Sequence, residues 1–290
     1  YATISSDEPK TKKNLKKDNH FKFLLTIFFA VISFILLYSF IDNPYEKKDI
    51  FYSFIFSVVR LIICFIFSFF IINLLILIKF TSKQKISQSY LGPITNFLAR
   101  YGKFAFLILL LISLYRIADV VMGVMANIFY LEKGYKISEI ATFSKFFGVF
   151  ATIFGGFIGG YCSFRFGTMK ALFFGALIAA LSNLLFAWLA VSPISIDFLI
   201  AVITADNVSS GFAGAAFVIY LSGLTSIKFT ATQYALFSSI MLFLPKLIAG
   251  YAGSWVDVMG YAYFFSLTAF LGIPVLFLIL WIGKIAPINN

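Results

Sequence analysis

The chain has 290 residues, of which 61% are apolar, 12% are charged and 39 are Phe. A soluble domain is about half apolar and about a quarter charged. These proportions, with a mean hydropathy of +0.97, exclude a soluble globular fold, a disordered chain and a disulfide scaffold. What remains is an all-α polytopic membrane protein.

The chain opens with a basic segment, residues 1–21; through Lys22 it carries Lys10, Lys12, Lys13, Lys16, Lys17 and Lys22. Its polar character excludes a signal peptide. His20, the single histidine, reads as a solvated tail residue. A helix needs about 20 mostly apolar residues to cross the hydrocarbon core. Eight stretches qualify: 22–41, 51–78, 104–130, 139–162, 168–191, 197–224, 232–256 and 262–284. Their apolar residues run continuously rather than alternate, which selects helices over barrel strands. Gly92-Pro93, Gly134, Gly167, Pro193 and Gly260 mark the joints. The chain thus divides into a two-helix unit over 22–80, a basic loop over 81–103 and a six-helix portion over 104–284. Cys64 lies in an apolar run and Cys162 beside a basic loop, so neither reads as half of an extracellular bridge. With no Cys/His cluster, neither a metal nor a cofactor is expected.

Lys and Arg in the connecting loops set the orientation. The loop after the second span holds Lys79, Lys83, Lys85, Arg100 and Lys103 without an acid. Later loops on that side hold Arg165 and Lys170, then Lys228, then Lys284. The other side holds Lys47, Lys48, Lys133 and Lys136 against Asp42, Glu46, Asp49, Glu132, Glu139, Asp197 and Asp257. The bias alternates at every span, so both termini are expected in the cytoplasm. It also accounts for the net charge of +11 without a nucleic-acid partner.

Ala141, Phe143, Ser144, Gly156 and Gly159 recur 94 residues later as Ala235, Phe237, Ser238, Gly250 and Gly253. Ser138-Glu139 and Thr232-Gln233 are matching pairs of polar helix-start residues. That offset holds three spans, so 104–191 and 197–284 are expected to be copies of opposite topology, the three-plus-three arrangement of secondary transporters.

Charged residues inside spans are costly and mark cavities or helix contacts. In the third span Arg116 and Asp119 share a face that continues through Gly123 and Asn127. Two readings stand: a polar cavity wall with Asp119 as a proton site, or an ion pair that locks helices together. In the fourth span Gly148, Thr152, Gly155 and Gly159 form a small-residue stripe suited to close helix packing. Lys145 lies on the same stripe, either snorkelling to an interface or binding an anionic solute. The sixth span carries Asp206, Asn207, Ser210, Gly211 and Gly214 on one face. Asp206 has no adjacent cation in its own helix and needs one from another span, with Arg116 and Lys145 the candidates. A carboxylate that passes between a cation and an apolar surrounding exchanges a proton as it does so. Asp206 is therefore the second proton-coupling candidate. Pro245-Lys246 in the seventh span offers a kink and a further cation. In the last six spans the buried cations Arg116, Lys145 and Lys246 outnumber Asp119 and Asp206, and Arg60 adds a cation in the second. A net positive cavity favours an anionic solute. No HExxH, GxSxG or paired catalytic carboxylate motif is present, so an enzyme is not expected.

The junction of the fourth and fifth spans reads Gly159-Gly160-Tyr161-Cys162-Ser163-Phe164-Arg165-Phe166-Gly167-Thr168-Met169-Lys170. It resembles the major facilitator signature, in which glycines, an acid and basic residues form a cytoplasmic gate. Gly159, Arg165, Gly167 and Lys170 match, while Ser163 or Phe164 stands at the acidic position. The loop reads either as a gate lacking its acid or as a topogenic loop.

Phe217-Val218-Ile219-Tyr220-Leu221-Ser222, followed by Phe229-Thr230-Ala231-Thr232-Gln233-Tyr234-Ala235-Leu236, resembles the signature of AmpG-type muropeptide permeases. That family is a major facilitator subgroup with acetyl-CoA transporters as near relatives. Arg116-Ile117-Ala118-Asp119, Phe129-Tyr130-Leu131 before Gly134, Phe146-Phe147-Gly148 with Gly155-Gly156, and Asn207 before Gly211 agree with it. The resemblance covers about 104–284. It implies the C-terminal six-helix half of a major facilitator fold, with 22–80 as a two-helix linker unit. It further implies proton-driven import of anhydromuramyl peptides, sugar-peptides bearing carboxylates, across the bacterial inner membrane. The substrate-cavity candidates are then Arg116, Asn127, Lys145, Asn207, Gln233, Tyr234 and Lys246. Thr232 and Gln233 also read as residues that start the seventh span, a reading favoured by the matching Ser138-Glu139. A family member needs another six-helix half ahead of Tyr1, so the chain is expected to be a fragment, or a truncated product that works with a partner half or not at all. The alternatives are a major facilitator transporter of another anion, such as acetyl-CoA, and a non-transporting membrane protein.

Overall fold

The computed structural model describes residues 18–45, 49–87 and 91–285. Lys10, Lys12, Lys13, Lys16 and Lys17 of the basic segment lie outside the described residues. The chain forms two compact units, Tyr1–Gly92 and Pro93–Asn290.

In the first unit α1 (Asp18–Phe40) and α2 (Ile50–Leu77) make an antiparallel hairpin, followed by the short α3 (Lys83–Ile86). Asp49 caps α2: its Oδ1 accepts from the N–H groups of Phe51 and Tyr52 at 2.9 and 3.0 Å. Asn43 donates to the Ser53 carbonyl and hydroxyl at 3.1 and 3.0 Å. At the other end Ser68 donates to the Ala30 carbonyl at 3.0 Å. Arg60 serves the hairpin itself. Its Nη1 donates to the Ile41 carbonyl at 2.8 Å, and its guanidinium lies 3.6 Å from the centre of the Tyr38 ring. Leu36, Phe40, Phe65 and Phe69 point outward, as lipid contact requires.

In the second unit α4 (Gly92–Tyr101), a 3₁₀ turn (Gly102–Phe104), α5 (Ala105–Leu114) and α6 (Ile117–Lys133) follow one another as a single apolar stretch. Residues 92–103, read as loop from their cations, are therefore helical. Pro93 stands in the first turn, where its missing N–H costs nothing. The chain continues through α7 (Ile137–Ile140), a π-helical turn (Ala141–Phe147), α8 (Gly148–Phe166) and α9 (Thr168–Val191). It ends in α10 (Ile196–Leu224), a 3₁₀ turn (Ile227–Phe229), α11 (Thr230–Ala249) and α12 (Ala252–Ile285).

Among the described residues, eight helical segments are long and apolar enough to cross a membrane, as expected. Between α11 and α12 Gly250 keeps helical angles, φ −58° and ψ −19°, so the seventh span runs on to the break at Gly260, the joint read from the sequence. Residues 252–259 continue the seventh span, and the non-helical backbone at Gly260, with φ 75° and ψ 165°, separates them from the last one within the stretch labelled α12. A Cβ at Gly260 meets nothing within 4 Å, so Gly260→Ala tests backbone conformation alone. It is expected to lower stability by about 1–3 kcal/mol in thermal unfolding. Gly253→Ala, also open but on helical backbone, is expected to be neutral.

α8 packs along α10, α9 packs along both α10 and α12, and α6 lies against α11 and α12. Phe129, Phe186 and Phe265 meet between α6, α9 and α12, with the ring centres of Phe129 and Phe186 at 5.0 and 5.2 Å from that of Phe265. Small residues set the α8–α10 crossing. Gly155 and Gly159 lie against the backbone of Val208 and Phe212, and Gly211 lies against the Thr152 carbonyl. Lys145 falls in the π-helical turn, so the spacing that aligned it with Gly148 is interrupted there. Its side chain lies outside the described residues.

Candidate functional site

The rod of the third span is broken between α5 and α6. Arg116 has φ −97° and ψ 9° there, which turns its side chain toward α10. Its Nε lies 3.4 Å from the Asp119 Oδ2, with the two side chains 21% and 15% exposed. Its Nη1 and Nη2 donate to the Ser210 carbonyl and hydroxyl, each at 3.3 Å. Gly214, one turn further along α10, leaves room for the guanidinium: a Cβ there would stand 3.4 Å from Nη1. Arg116 and Ser210 are 94 residues apart, the spacing at which the matching residues recur in the sequence. Neighbouring Tyr115 fixes the break. Its hydroxyl donates to the Leu172 carbonyl at 3.2 Å, and its ring stacks on Phe217 at 4.4 Å between centres.

Asp206 sits one turn before Ser210 on α10. Among the described residues its carboxylate has no hydrogen-bond or ion-pair partner, and it lies within range of the charges on Asp119 and Arg116. The structure thus brings Arg116, Asp119 and Asp206 together, with Arg116 paired to Asp119. One cation faces two carboxylates, an arrangement that can exchange partners or take up a proton.

The other candidates stand apart. Asn127 is exposed on α6. Asn207 is used between helices: its Oδ1 accepts from the Thr152 hydroxyl at 3.0 Å, and its Nδ2 donates to the Ile203 carbonyl at 2.8 Å. Lys246 is exposed on α11, beside a groove of about 380 Å³ lined by Ser239, Leu242, Phe243 and Leu247. Tyr234 is half-buried against the core. Gln233 is fully buried, and its amide bonds to the protein at both ends. Its Oε1 accepts from the Ser226 N–H at 2.7 Å, just as the Glu139 carboxylate accepts from the Lys136 N–H at 3.0 Å. In the loop after α8, Gly167 has φ 92°, and Arg165 and Lys170 are exposed. A groove of about 640 Å³ runs past Ser163, Phe164, Arg165 and Thr168. Gly159 lies two turns back, inside the α8–α10 contact.

Two polar groupings were not singled out from the residues. Lys133, counted as a loop charge, donates to the carbonyls of Ala190 and Ser192 at 2.8 and 2.6 Å. Arg100, counted likewise, donates to the Leu224 carbonyl at the end of α10. Nothing in local sequence signals either.

No protein-family model matches the chain. Two curated proteins named "Putative transporter AmpG 4", from Rickettsia conorii and Rickettsia felis, are both 35% identical to it. The matches run over 196 and 194 residues, 68% and 67% of this chain and 47% and 46% of theirs. A protein named AmpG 1 from Rickettsia bellii is 34% identical over 189 residues, 64% of this chain and 46% of its own. The chain spans about half the length of the curated relatives it matches. Likeness of this extent, on a scaffold of membrane-crossing helices, makes the chain a member of the AmpG-type transporter family.

Proposed function

We propose that this chain is part of a secondary active transporter that imports anhydromuramyl peptides with protons across the bacterial inner membrane. The observation that carries the reading is the cluster of Arg116, Asp119 and Asp206 across α6 and α10. A membrane interior tolerates such groups where they serve a pathway. With one guanidinium paired to Asp119 and within range of the charge on Asp206, protonation of Asp206 removes its competition for Arg116, and loss of the proton restores it. Arg116 is also the group in the cluster that suits a solute carboxylate. In this reading the loops with Arg165, Lys170, Lys228 and Lys284 face the cytoplasm, as do both chain ends. The six spans of the second unit form one wall of the pathway, and a further six-helix half supplies the other.

The test is uptake of labelled anhydromuropeptide into proteoliposomes of the complete transporter under an imposed pH gradient. Asp119→Asn and Asp206→Asn are each expected to cut proton-driven uptake by about tenfold or more, with the protein still present in the membrane. Unchanged uptake in both variants would demote the carboxylates to a structural pair. Uptake of acetyl-CoA in place of the muropeptide would move the assignment to another anionic solute, and uptake of neither would sink it.

A further inference from the structure

The α4 sequence places Pro93, Phe97 and Tyr101 four residues apart, with Asn96 and Arg100 beside them. Such spacing gives a helix one apolar and one polar edge on the same side. Both edges are docked. Phe97 is 2% exposed, and its ring centre lies 5.1 Å from that of Phe237 on α11. Arg100 donates to the carbonyls of Leu224 and Thr225, where α10 ends. Such terminal carbonyls have no partner within their own helix, and a cation there also suits the helix dipole.

Gln233 closes the arrangement. Its Nε2 donates to the Pro93 carbonyl at 2.8 Å and to the Asn96 Oδ1 at 3.3 Å. Its Oε1 accepts from the Ser226 N–H at 2.7 Å and from Arg100 at 3.5 Å. Two donors and two lone pairs are the whole capacity of a glutamine amide. Here α4 and the α10–α11 turn take all four. Near this satisfied amide, the hydroxyls of Tyr220 and Ser226 are buried with no hydrogen-bond partner among the described residues. Buried polar groups left unpaired are costly, so the closed arrangement does not satisfy every group around it.

We propose that α4 is a clasp over the α10–α11 turn, closed by Arg100 and Gln233, that opens and closes as one unit. Gln233 is then a sensor of the turn's position rather than a solute ligand. A displacement of α10 against α11 breaks its bonds together.

Hydrogen exchange read by mass spectrometry on the whole chain in lipid nanodiscs tests this without any substrate. Gln233→Ala is expected to raise exchange about tenfold or more over both 93–104 and 225–237, leaving 168–191 unchanged. Arg100→Ala is expected to do the same. The double variant should exceed the larger single effect by little, because the two residues share one network. If Gln233→Ala also loosens 168–191, Gln233→Glu decides. It keeps the acceptor for Ser226 and Arg100 and loses both donations to α4, so 93–104 and 225–237 must exchange faster with 168–191 unchanged. Separate responses of the two segments, or additive effects of the two substitutions, would overturn the clasp.

Discussion

A leucine at Gly211 is expected to prevent the folded protein from accumulating. A Cβ at that position would overlie the Thr152 carbonyl and stand 2.9 Å from the Gly156 nitrogen. Both atoms are α8 backbone, which no rotamer change moves aside. Relief requires α8 and α10 to separate, and with them the approaches of Gly155 to Val208 and of Gly159 to Phe212. The bond between Thr152 and Asn207 would break too. Overpacking at a rigid contact costs about 3 kcal/mol or more, and small-residue contacts are a main source of helix association in lipid. The check is the yield of monodisperse protein from membranes, with Gly160→Leu as control, since a Cβ there meets nothing within 4 Å. Native yield of Gly211→Leu would mean that the helices cross less closely.

Arg116→Ala is expected to have the second largest effect. It leaves Asp119, 15% exposed, without its ion-pair partner and within range of the charge on Asp206, which has no partner of its own among the described residues. Removing one partner of a buried ion pair costs roughly 3–5 kcal/mol, read as a lower unfolding midpoint. The same principle separates structure from function, because a buried pair replaced by apolar residues is often neutral. Arg116→Leu with Asp119→Leu is therefore expected to recover most of the stability and none of the transport. If that double variant still transports, the pair only holds helices together. If Arg116→Ala unfolds at the native midpoint, the pair contributes nothing to the fold.

The spans were legible because crossing a membrane is a local demand on about 20 residues at a time. Segment 92–103 was misread for a physical reason. Arg100 was counted as a loop charge, whereas here a helix carries it to the free carbonyls of α10. The border of the last two spans was legible because Gly260 takes the positive φ that a break there requires, whereas Gly250 keeps helical angles. The Arg116–Asp119 pair was legible from its three-residue spacing. That Arg116 rests on Ser210, 94 residues further along, is a contact between distant spans that only the folded chain shows. Gln233 and Asn207 looked like cavity residues because a polar group in a span is conspicuous. Only the folded chain shows that their amides bond to protein groups.

The α1–α2 hairpin bears on how the chain enters a membrane. An arginine near the middle of an inserting helix costs roughly 2.5–3.5 kcal/mol. The groups that receive Arg60, the Ile41 carbonyl and the Tyr38 ring, lie earlier in the chain than α2 itself. They have already left the ribosome when Arg60 emerges. The charge can therefore be matched within the hairpin itself as soon as Arg60 emerges, without waiting for any helix of the second unit.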